Sequence, residues 1–164
     1  MRRLAAIALG SNLASLKSTH GSDGREANLR AAVERVRRLG EVKAVSGWYD
    51  TAPVGYLDQP RFLNGTLLLE TELEPLALLR GLLAIEREMG RDRSATVAKG
   101  PRVIDLDLLL VGDLVIETSE LTVPHPAMWE RRFVLEPLKE IAPGLADPVS
   151  GKTVEEMLAR LDRD

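Results

Sequence analysis

Along the first two thirds of the chain, apolar residues alternate between the spacing of strands and the spacing of helices. Compact, largely apolar runs predict four strands, at Leu4 to Leu9, Val42 to Tyr49, Phe62 to Thr71 and Arg102 to Val111. Between them, two segments repeat apolar residues every three or four positions, as amphipathic helices do. The predicted order of elements is therefore β-α-β-β-α-β.

Both predicted helices carry signals at their ends. The first begins at Asp23, where Glu26 three residues later completes a capping-box pattern, and it ends at Gly40. The second has Pro75 in its first turn and ends at Gly90. Helices and strands in this order are typical of the ferredoxin-like fold, so we expect an α+β protein with an antiparallel sheet and helices on one face.

The last third of the chain is less regular. Gly112-Asp113 is typical of a hairpin turn, and an irregular, proline-rich stretch follows it. One stripe of apolar residues then predicts a short final helix, with Val154, Met157, Leu158 and Leu161 on its buried side. We expect one domain over residues 1–164, a ferredoxin-like core with a C-terminal extension that holds a short helix.

The composition is that of a globular protein. With 164 residues, 45% of them hydrophobic, the chain can bury a core and is not disordered. It contains no cysteine, which excludes disulfides and thiolate metal sites and is consistent with the cytoplasmic location that we expect. No apolar run approaches the roughly 18 residues of a membrane span. We expect a monomer that binds small molecules, with neither a membrane nor a nucleic acid as its partner.

The distribution of charge marks one segment of the chain. The net charge of −3 argues against binding to a long polyanion such as DNA. Residues 87–102, however, contain five basic and two acidic residues, which gives a local charge of +3. The rest of the chain then carries a charge of −6. The basic residues are Arg87, Arg91, Arg93, Lys99 and Arg102. Such a cluster suits a small polyphosphate. The alternative for the arginines is a solvated helix end, which is favourable near a C-terminus and applies best to Arg87.

A segment near the C-terminus matches a relaxed phosphate-loop pattern but does not meet its physical requirements. It reads Ala-Asp-Pro-Val-Ser-Gly-Lys-Thr and ends at Thr153. A phosphate loop needs backbone N–H groups between a buried strand and a helix, whereas Pro148 has no N–H and no buried strand precedes it. We expect this segment to have no role in phosphate binding.

Two carboxylates two residues apart form the strongest chemical signal. Asp105 and Asp107 lie in the fourth predicted strand, so their side chains project from the same face, roughly 6.5–7 Å apart. Two carboxylates this close repel each other unless a cation bridges them, and hard oxygen ligands suit Mg²⁺. A strand with one solvated, acidic face is the alternative.

Two further polar residues have more than one interpretation. Glu86 is close to the apolar stripe of the second helix, near its C-terminal end, where a negative charge is unfavourable. Its carboxylate therefore either pairs with an arginine or accepts hydrogen bonds from a ligand. His125 lies in a proline-bordered loop, where a lone histidine is usually solvated, but near a phosphate it would donate a hydrogen bond.

The six aromatic residues fall into two short stretches of the chain. They are Trp48, Tyr49, Tyr56 and Phe62, followed by Trp129 and Phe133. Aromatic side chains gathered at loop edges suit a slot for a flat ring, and Asn64 would supply amide hydrogen bonds at its rim. For Trp48 and Tyr49 a small aromatic core is the alternative.

Six segments of the chain belong together: Ala8 to Leu13, Tyr49 to Pro53, Phe62 to Asn64, Ile85 to Arg93, Lys99 to Leu109, and Leu121 to His125. Together they resemble the 6-hydroxymethyl-7,8-dihydropterin pyrophosphokinases of folate synthesis. The resemblance covers nearly the whole chain. It implies a ferredoxin-like fold and an enzyme that transfers pyrophosphate from ATP to the pterin hydroxymethyl group, releasing AMP.

The same resemblance implies roles for individual residues. Asp105 and Asp107 would hold two Mg²⁺ ions and, with Arg91, Arg93 and Arg102, would form the catalytic group. ATP would be bound by Glu86, Arg91, Arg93, Arg102, Leu108, Thr122, His125 and Arg131. The pterin would be bound by Thr51, Ala52, Pro53, Val54, Phe62, Asn64, Asp105 and Phe133, with the two phenylalanines on either side of its ring.

Two other functions are compatible with parts of the pattern. Carboxylates on a ferredoxin-like sheet would also serve a two-metal nucleotidyltransferase or nuclease, but the acidic total and the lack of a basic stripe count against a nucleic-acid substrate. A non-enzymatic regulatory domain that binds a small ligand would leave the aspartate pair and the arginines without a joint purpose.

Overall fold

A computed structural model describes residues 1–12, 24–52, 61–90 and 103–163 of the chain. Within these ranges there are seven strands and four α-helices, with single 3₁₀ turns at 37–39 and 128–130. The strands are β1 (Arg3–Ser11), β2 (Glu41–Val45), β3 (Tyr49–Thr51), β4 (Phe62–Thr71), β5 (Asp105–Val111), β6 (Ile116–Glu117) and β7 (Thr122–Val123). The helices are α1 (Gly24–Val36), α2 (Pro75–Glu88), α3 (Arg132–Ile141) and α4 (Val154–Arg163).

The main sheet is antiparallel, in the order β2-β4-β1-β5, with β3 pairing with β4 beyond the end of β2. This is the strand order of the ferredoxin-like fold, and the prediction of an α+β protein of that type is confirmed. Because β1 is central, Gly10 lies opposite Asn64 of β4 on one side and Asp105 of β5 on the other. The register therefore brings a glycine, an amide and a carboxylate together at one end of the sheet.

Helices cover both faces of this sheet. Ile7 and Leu9 pack with α1 and α2, whereas Ala6 and Ala8, on the other face of the same strand, pack with α3 and α4. The two helices predicted for the core do lie on one face, whereas the C-terminal extension covers the other face with two helices where the sequence predicted one. Pro137 lies inside α3 and removes a helical hydrogen bond, which hides the helix in the sequence. The burial of its apolar side against the sheet stabilises α3.

The strand predicted from Val42 to Tyr49 is two strands with a break at residues 46–48. Ser46 accepts a hydrogen bond from the backbone N–H of Thr66 at 2.9 Å through its hydroxyl oxygen. The ring of Trp48 occupies the space above Gly65, where a Cβ would lie 2.4 Å from the ring. These two contacts separate β2 from β3 and allow β3 to continue along β4 toward Asn64.

The remaining local predictions have mixed outcomes. Asp23, the expected helix cap, and Arg102, the expected start of the fourth strand, lie outside the described residues. Gly112-Asp113 does form a turn, but the strand after it pairs with β7 and not with β5. The segment ending at Thr153 is a turn closed on itself, since Asp147 accepts hydrogen bonds from the N–H groups of Val149 and Gly151. These two N–H groups are used within the turn, and the absence of a phosphate-binding role stays a prediction.

Candidate functional site

A cavity of about 230 Å³ opens at the end of the sheet where Gly10, Asn64 and Asp105 lie side by side. Its floor is formed by β1, β4 and β5, and its walls by β3, the loop after β7 and the start of α3. The residues that line it are Ala8, Leu9, Gly10, Thr51, Ala52, Phe62, Asn64, Gly65, Asp105, Asp107, His125, Arg131, Phe133 and Val134. Residues predicted to bind ATP, metal and pterin thus meet in one cavity.

Asp105 and Asp107 project into the cavity from β5. Both are partly buried, while Leu106 and Leu108 between and beyond them pack in the core on the opposite face. The predicted alternation is confirmed, and the two carboxylates face a cavity and not an open surface. The described residues contain no group of three or more His, Cys, Asp or Glu side chains that could hold a metal ion. A cation here would take two ligands from the described part of the chain.

Glu86 connects α2 to the strand that carries these carboxylates. It is 1% exposed, and its Oε2 accepts a hydrogen bond of 2.8 Å from the backbone N–H of Leu106. Neither interpretation drawn from the sequence, an arginine pair or a ligand contact, included this bond. Leu108, predicted to contact ATP, has a side chain 4% exposed in the core, so a contact with a nucleotide would have to use its backbone.

The opposite side of the cavity combines aromatic rings with an amide. Phe62 and Phe133 both line it, and the Nδ2 of Asn64 donates a hydrogen bond to the Oγ1 of Thr51 on the adjacent strand. The guanidinium of Arg131 lies 5.6 Å from the centre of the Phe133 ring, within the range of a cation–π interaction. Two rings and an oriented amide make this side suitable for a flat, polar-edged ring.

His125 is held in one orientation beside the carboxylates. Its Nδ1 accepts a hydrogen bond of 3.2 Å from the N–H of Ala127, so that in the neutral ring Nε2 carries the proton. Burial lowers the pKa of the imidazole below its ordinary value of 6.5, the Arg131 guanidinium lowers it further, and Asp105 opposes the shift. The result is a neutral hydrogen-bond donor at neutral pH.

The sequence and the structure select overlapping but different residues. Thr122 lies on β7 and does not line this cavity. Arg91, Arg93, Lys99, Arg102, Pro53 and Val54 lie outside the described residues, so their roles stay predictions. Trp48 packs on Gly65 away from the cavity lining, as the alternative for the first aromatic stretch had it. The sequence analysis did not predict Ala8, Leu9, Gly10, Gly65 and Val134 as site residues. Of these, Ala8, Leu9 and Gly10 carried a signal, because they belong to the first segment of the family resemblance.

Comparison with known proteins identifies a group of relatives. A family model described as 7,8-dihydro-6-hydroxymethylpterin-pyrophosphokinase (HPPK) matches residues 6–143. A protein of Pseudomonas aeruginosa named 2-amino-4-hydroxy-6-hydroxymethyldihydropteridine pyrophosphokinase is 45% identical over 155 residues, which are 93% of this chain and 88% of that protein. A protein of the same name from Bacillus subtilis is 46% identical over 143 residues, 86% of this chain and 79% of that one.

Some similar proteins are much longer than this chain. The folic acid synthesis protein fol1 of Schizosaccharomyces pombe is 37% identical over 161 residues, but the match spans 97% of this chain and only 20% of that protein. Among solved structures, Plasmodium falciparum HPPK-DHPS with pteroate superposes with a TM-score of 0.73 at 15% identity, covering 98% of this chain and 42% of that one. At this identity the superposition supports the fold alone. No helix in the described ranges is long and apolar enough to cross a membrane.

Proposed function

The chain belongs to the 7,8-dihydro-6-hydroxymethylpterin-pyrophosphokinase family, and from this premise we propose the reaction that it catalyses. It transfers a pyrophosphoryl group from ATP to the hydroxymethyl group of 6-hydroxymethyl-7,8-dihydropterin, giving AMP and the pterin diphosphate, in folate biosynthesis. The observation that carries the proposal is one cavity lined both by two carboxylates from β5 and by an amide and two phenylalanine rings from β4 and α3. This combination suits a transfer between a metal-bound polyphosphate and a flat heterocycle.

The pterin binds on the aromatic side. Its ring lies between Phe62 and Phe133, and Asn64, oriented by its hydrogen bond to Thr51, presents its amide to the polar edge of the ring. Ala52, which lines the cavity, and Pro53 and Val54, which follow it in the chain, complete this subsite. Asp105 also faces the pterin, at the boundary between the two subsites.

Magnesium suits the carboxylate side. Asp105 and Asp107 offer hard oxygen ligands from one face of β5, partly buried and directed into the cavity. Mg²⁺ usually takes one or two protein carboxylates and completes its coordination with water and substrate phosphates, so a pair without a third carboxylate among the described residues fits it. When bound, two such ions would neutralise charge on the phosphate oxygens.

The remaining contacts serve the nucleotide. Arg131 and the neutral His125, through its Nε2–H, donate to phosphate oxygens from within the cavity. Arg91, Arg93 and Arg102 add positive charge, and Thr122 and the backbone of Leu108 contact the rest of ATP. Glu86, which is 1% exposed, acts on the nucleotide site through its hydrogen bond to Leu106 on β5. The pterin hydroxyl oxygen forms a bond to the β-phosphorus as the bond from that phosphorus to the α,β-bridging oxygen breaks. The bridging oxygen leaves with AMP, and the hydroxyl proton passes to solvent.

The test is to incubate the chain with ATP, Mg²⁺ and hydroxymethyldihydropterin and to separate the nucleotides. Formation of AMP in step with the pterin diphosphate is the expected result. Formation of ADP, or of neither product, would refute the pyrophosphokinase reaction. We also propose that the chain is cytoplasmic, forms a single domain and acts as a monomer. Sedimentation of the active protein would check the monomeric state.

A further inference from the structure

Glu140, in the last turn of α3, is hydrogen-bonded to the segment that joins β2 and β3. The backbone N–H of Gly47 donates to both of its carboxylate oxygens, at 3.1 and 3.0 Å. The hydroxyl of Tyr49 donates to its Oε1 at 2.6 Å. Residues 46–48 form the break between the two strands, so the carboxylate binds the chain immediately before β3 and at its first residue.

These contacts link two walls of the cavity, the one formed by the start of α3 and the one formed by β3. The first turn of α3 carries Phe133 and Val134 on one wall, and its last turn carries Glu140. β3 is only three residues long and runs from Tyr49 to Thr51. Thr51 lies on the other wall and accepts the hydrogen bond from Asn64. Within the main sheet β3 pairs with β4 alone. The hydrogen bonds of the Glu140 carboxylate therefore connect α3 directly to this short strand.

We propose that Glu140 is a positioning residue for the pterin: it sets the separation between the Phe133 wall and the Thr51–Asn64 wall, and so the affinity for the flat ring. The inference rests on the proposed function for the identity of the ring. The sequence pattern did not indicate Glu140, because it belongs to a helix that the sequence did not predict. It is also separated from Tyr49 by 91 residues along the chain. Glu140 is exposed and contributes nothing to the hydrophobic core, which makes it a feasible target for substitution.

A second property of the same contact provides a readout that does not depend on activity. The hydrogen bond to Glu140 is the main reason why the pKa of Tyr49 rises from 10.0 to about 12, with burial and the charge of Glu140 adding to it. The chain has two tyrosines, so a Tyr56→Phe background leaves Tyr49 as the only phenol. Titration of its absorbance should give a pKa well above the ordinary value, and Glu140→Ala should return it toward 10.0.

The kinetic experiment compares Glu140→Ala, Glu140→Gln, Tyr49→Phe and the control Lys139→Ala, an exposed neighbour on the same helix. We expect Glu140→Ala to raise the KM for the pterin about tenfold, the scale of one hydrogen bond to a charged group, with kcat and the KM for ATP within about twofold. Tyr49→Phe removes one of the two donors and should have a smaller effect in the same direction. Glu140→Gln keeps an acceptor for Gly47 and should recover most of the affinity, and Lys139→Ala should match the unaltered chain.

An unchanged pterin KM in Glu140→Ala, or equal losses for both substrates, would overturn the role of Glu140 while leaving the reaction intact. A Tyr49 pKa that does not respond to Glu140→Ala would overturn it as well, even in a chain that lacks activity. Absence of AMP with the unaltered chain would instead overturn the proposed function and, with it, the identity of the ring. If Glu140→Ala does not fold, the contrast between Tyr49→Phe and Lys139→Ala decides the matter.

Discussion

The carboxylate of Glu86 accepts a hydrogen bond of 2.8 Å from the backbone N–H of Leu106, the residue between Asp105 and Asp107. β5 lies at one end of the main sheet order, so one row of its backbone groups faces away from β1. Glu86 satisfies one of these groups from the neighbouring helix. The bond thus fixes the strand at the point from which both carboxylates enter the cavity.

Glu86→Ala should therefore impair both stability and metal dependence. Leaving a buried N–H without its acceptor costs about 1–3 kcal/mol of unfolding free energy. We expect the Mg²⁺ concentration for half-maximal activity to rise severalfold, because the two carboxylates lose their fixed spacing. Glu88→Ala, two residues along on the exposed side of the same helix, is the control and should leave the Mg²⁺ dependence unchanged. Denaturant unfolding and a Mg²⁺ titration measure the two effects, and an unchanged titration would contradict the positioning role.

Gly10→Ala should weaken pterin binding with little loss of stability. A Cβ at residue 10 would lie 2.9 Å from the Oδ1 of Asn64, closer than such atoms approach, and 3.6 Å from the ring of Phe62. Asn64 would have to turn away and lose its hydrogen bond to Thr51. Gly144→Ala is the matched control, since a Cβ there meets nothing within 4 Å. Kinetics of both variants at saturating ATP should show a higher pterin KM for Gly10→Ala alone, and equal KM values would refute this steric argument.

Asp107→Ala should abolish turnover in a folded protein. Removal of one of two metal ligands forfeits several kcal/mol of transition-state stabilisation, so AMP formation should fall at least about a hundredfold. Asp113→Ala removes an exposed carboxylate from the turn after the same strand and should have no such effect. Circular dichroism of both variants checks that they are folded, and the rate of AMP formation measures their turnover. If Asp107→Ala is about as active as the unaltered chain, the alternative is favoured, in which Asp105 and Asp107 form a solvated, acidic strand face.

The depressed pKa of His125 predicts a pH dependence of stability. Because the folded pKa lies below the ordinary 6.5, the unfolded chain takes up the proton first as the pH falls. The contribution of His125 to stability is thus complete above pH 6.5 and decreases as the pH falls through 6.5 toward the folded pKa. Unfolding free energies should be measured from pH 8 to 5. The part of their decrease that comes from His125 should be missing in His125→Asn. If His20→Ala keeps the slope of unfolding free energy against pH and His125→Asn loses it, the slope is assigned to His125. Loss of the slope in His20→Ala would contradict this assignment.

Much of the fold and part of the site followed from local properties of the chain. The spacing of apolar residues predicted the core strands and helices, because a strand or helix buried on one side must repeat with its own period. The alternation of side chains in a strand likewise predicted that Asp105 and Asp107 share a face. The length of the matching motifs was enough to predict the family. Each of these properties is encoded in short runs of neighbouring residues, one run or several along the chain, so the sequence by itself determined them.

The tertiary structure decided what depends on residues that are distant in the chain. α3 was not predictable because Pro137 disrupts its local signal and its stability comes from packing on the second face of the sheet. The contacts of Glu86 with Leu106 and of Glu140 with Tyr49 join elements 20 and 91 residues apart. The role of Gly10 at the site depends on the strand register, which places it between Asn64 and Asp105. Such pairings arise from the packing of whole elements, and no local pattern contains them.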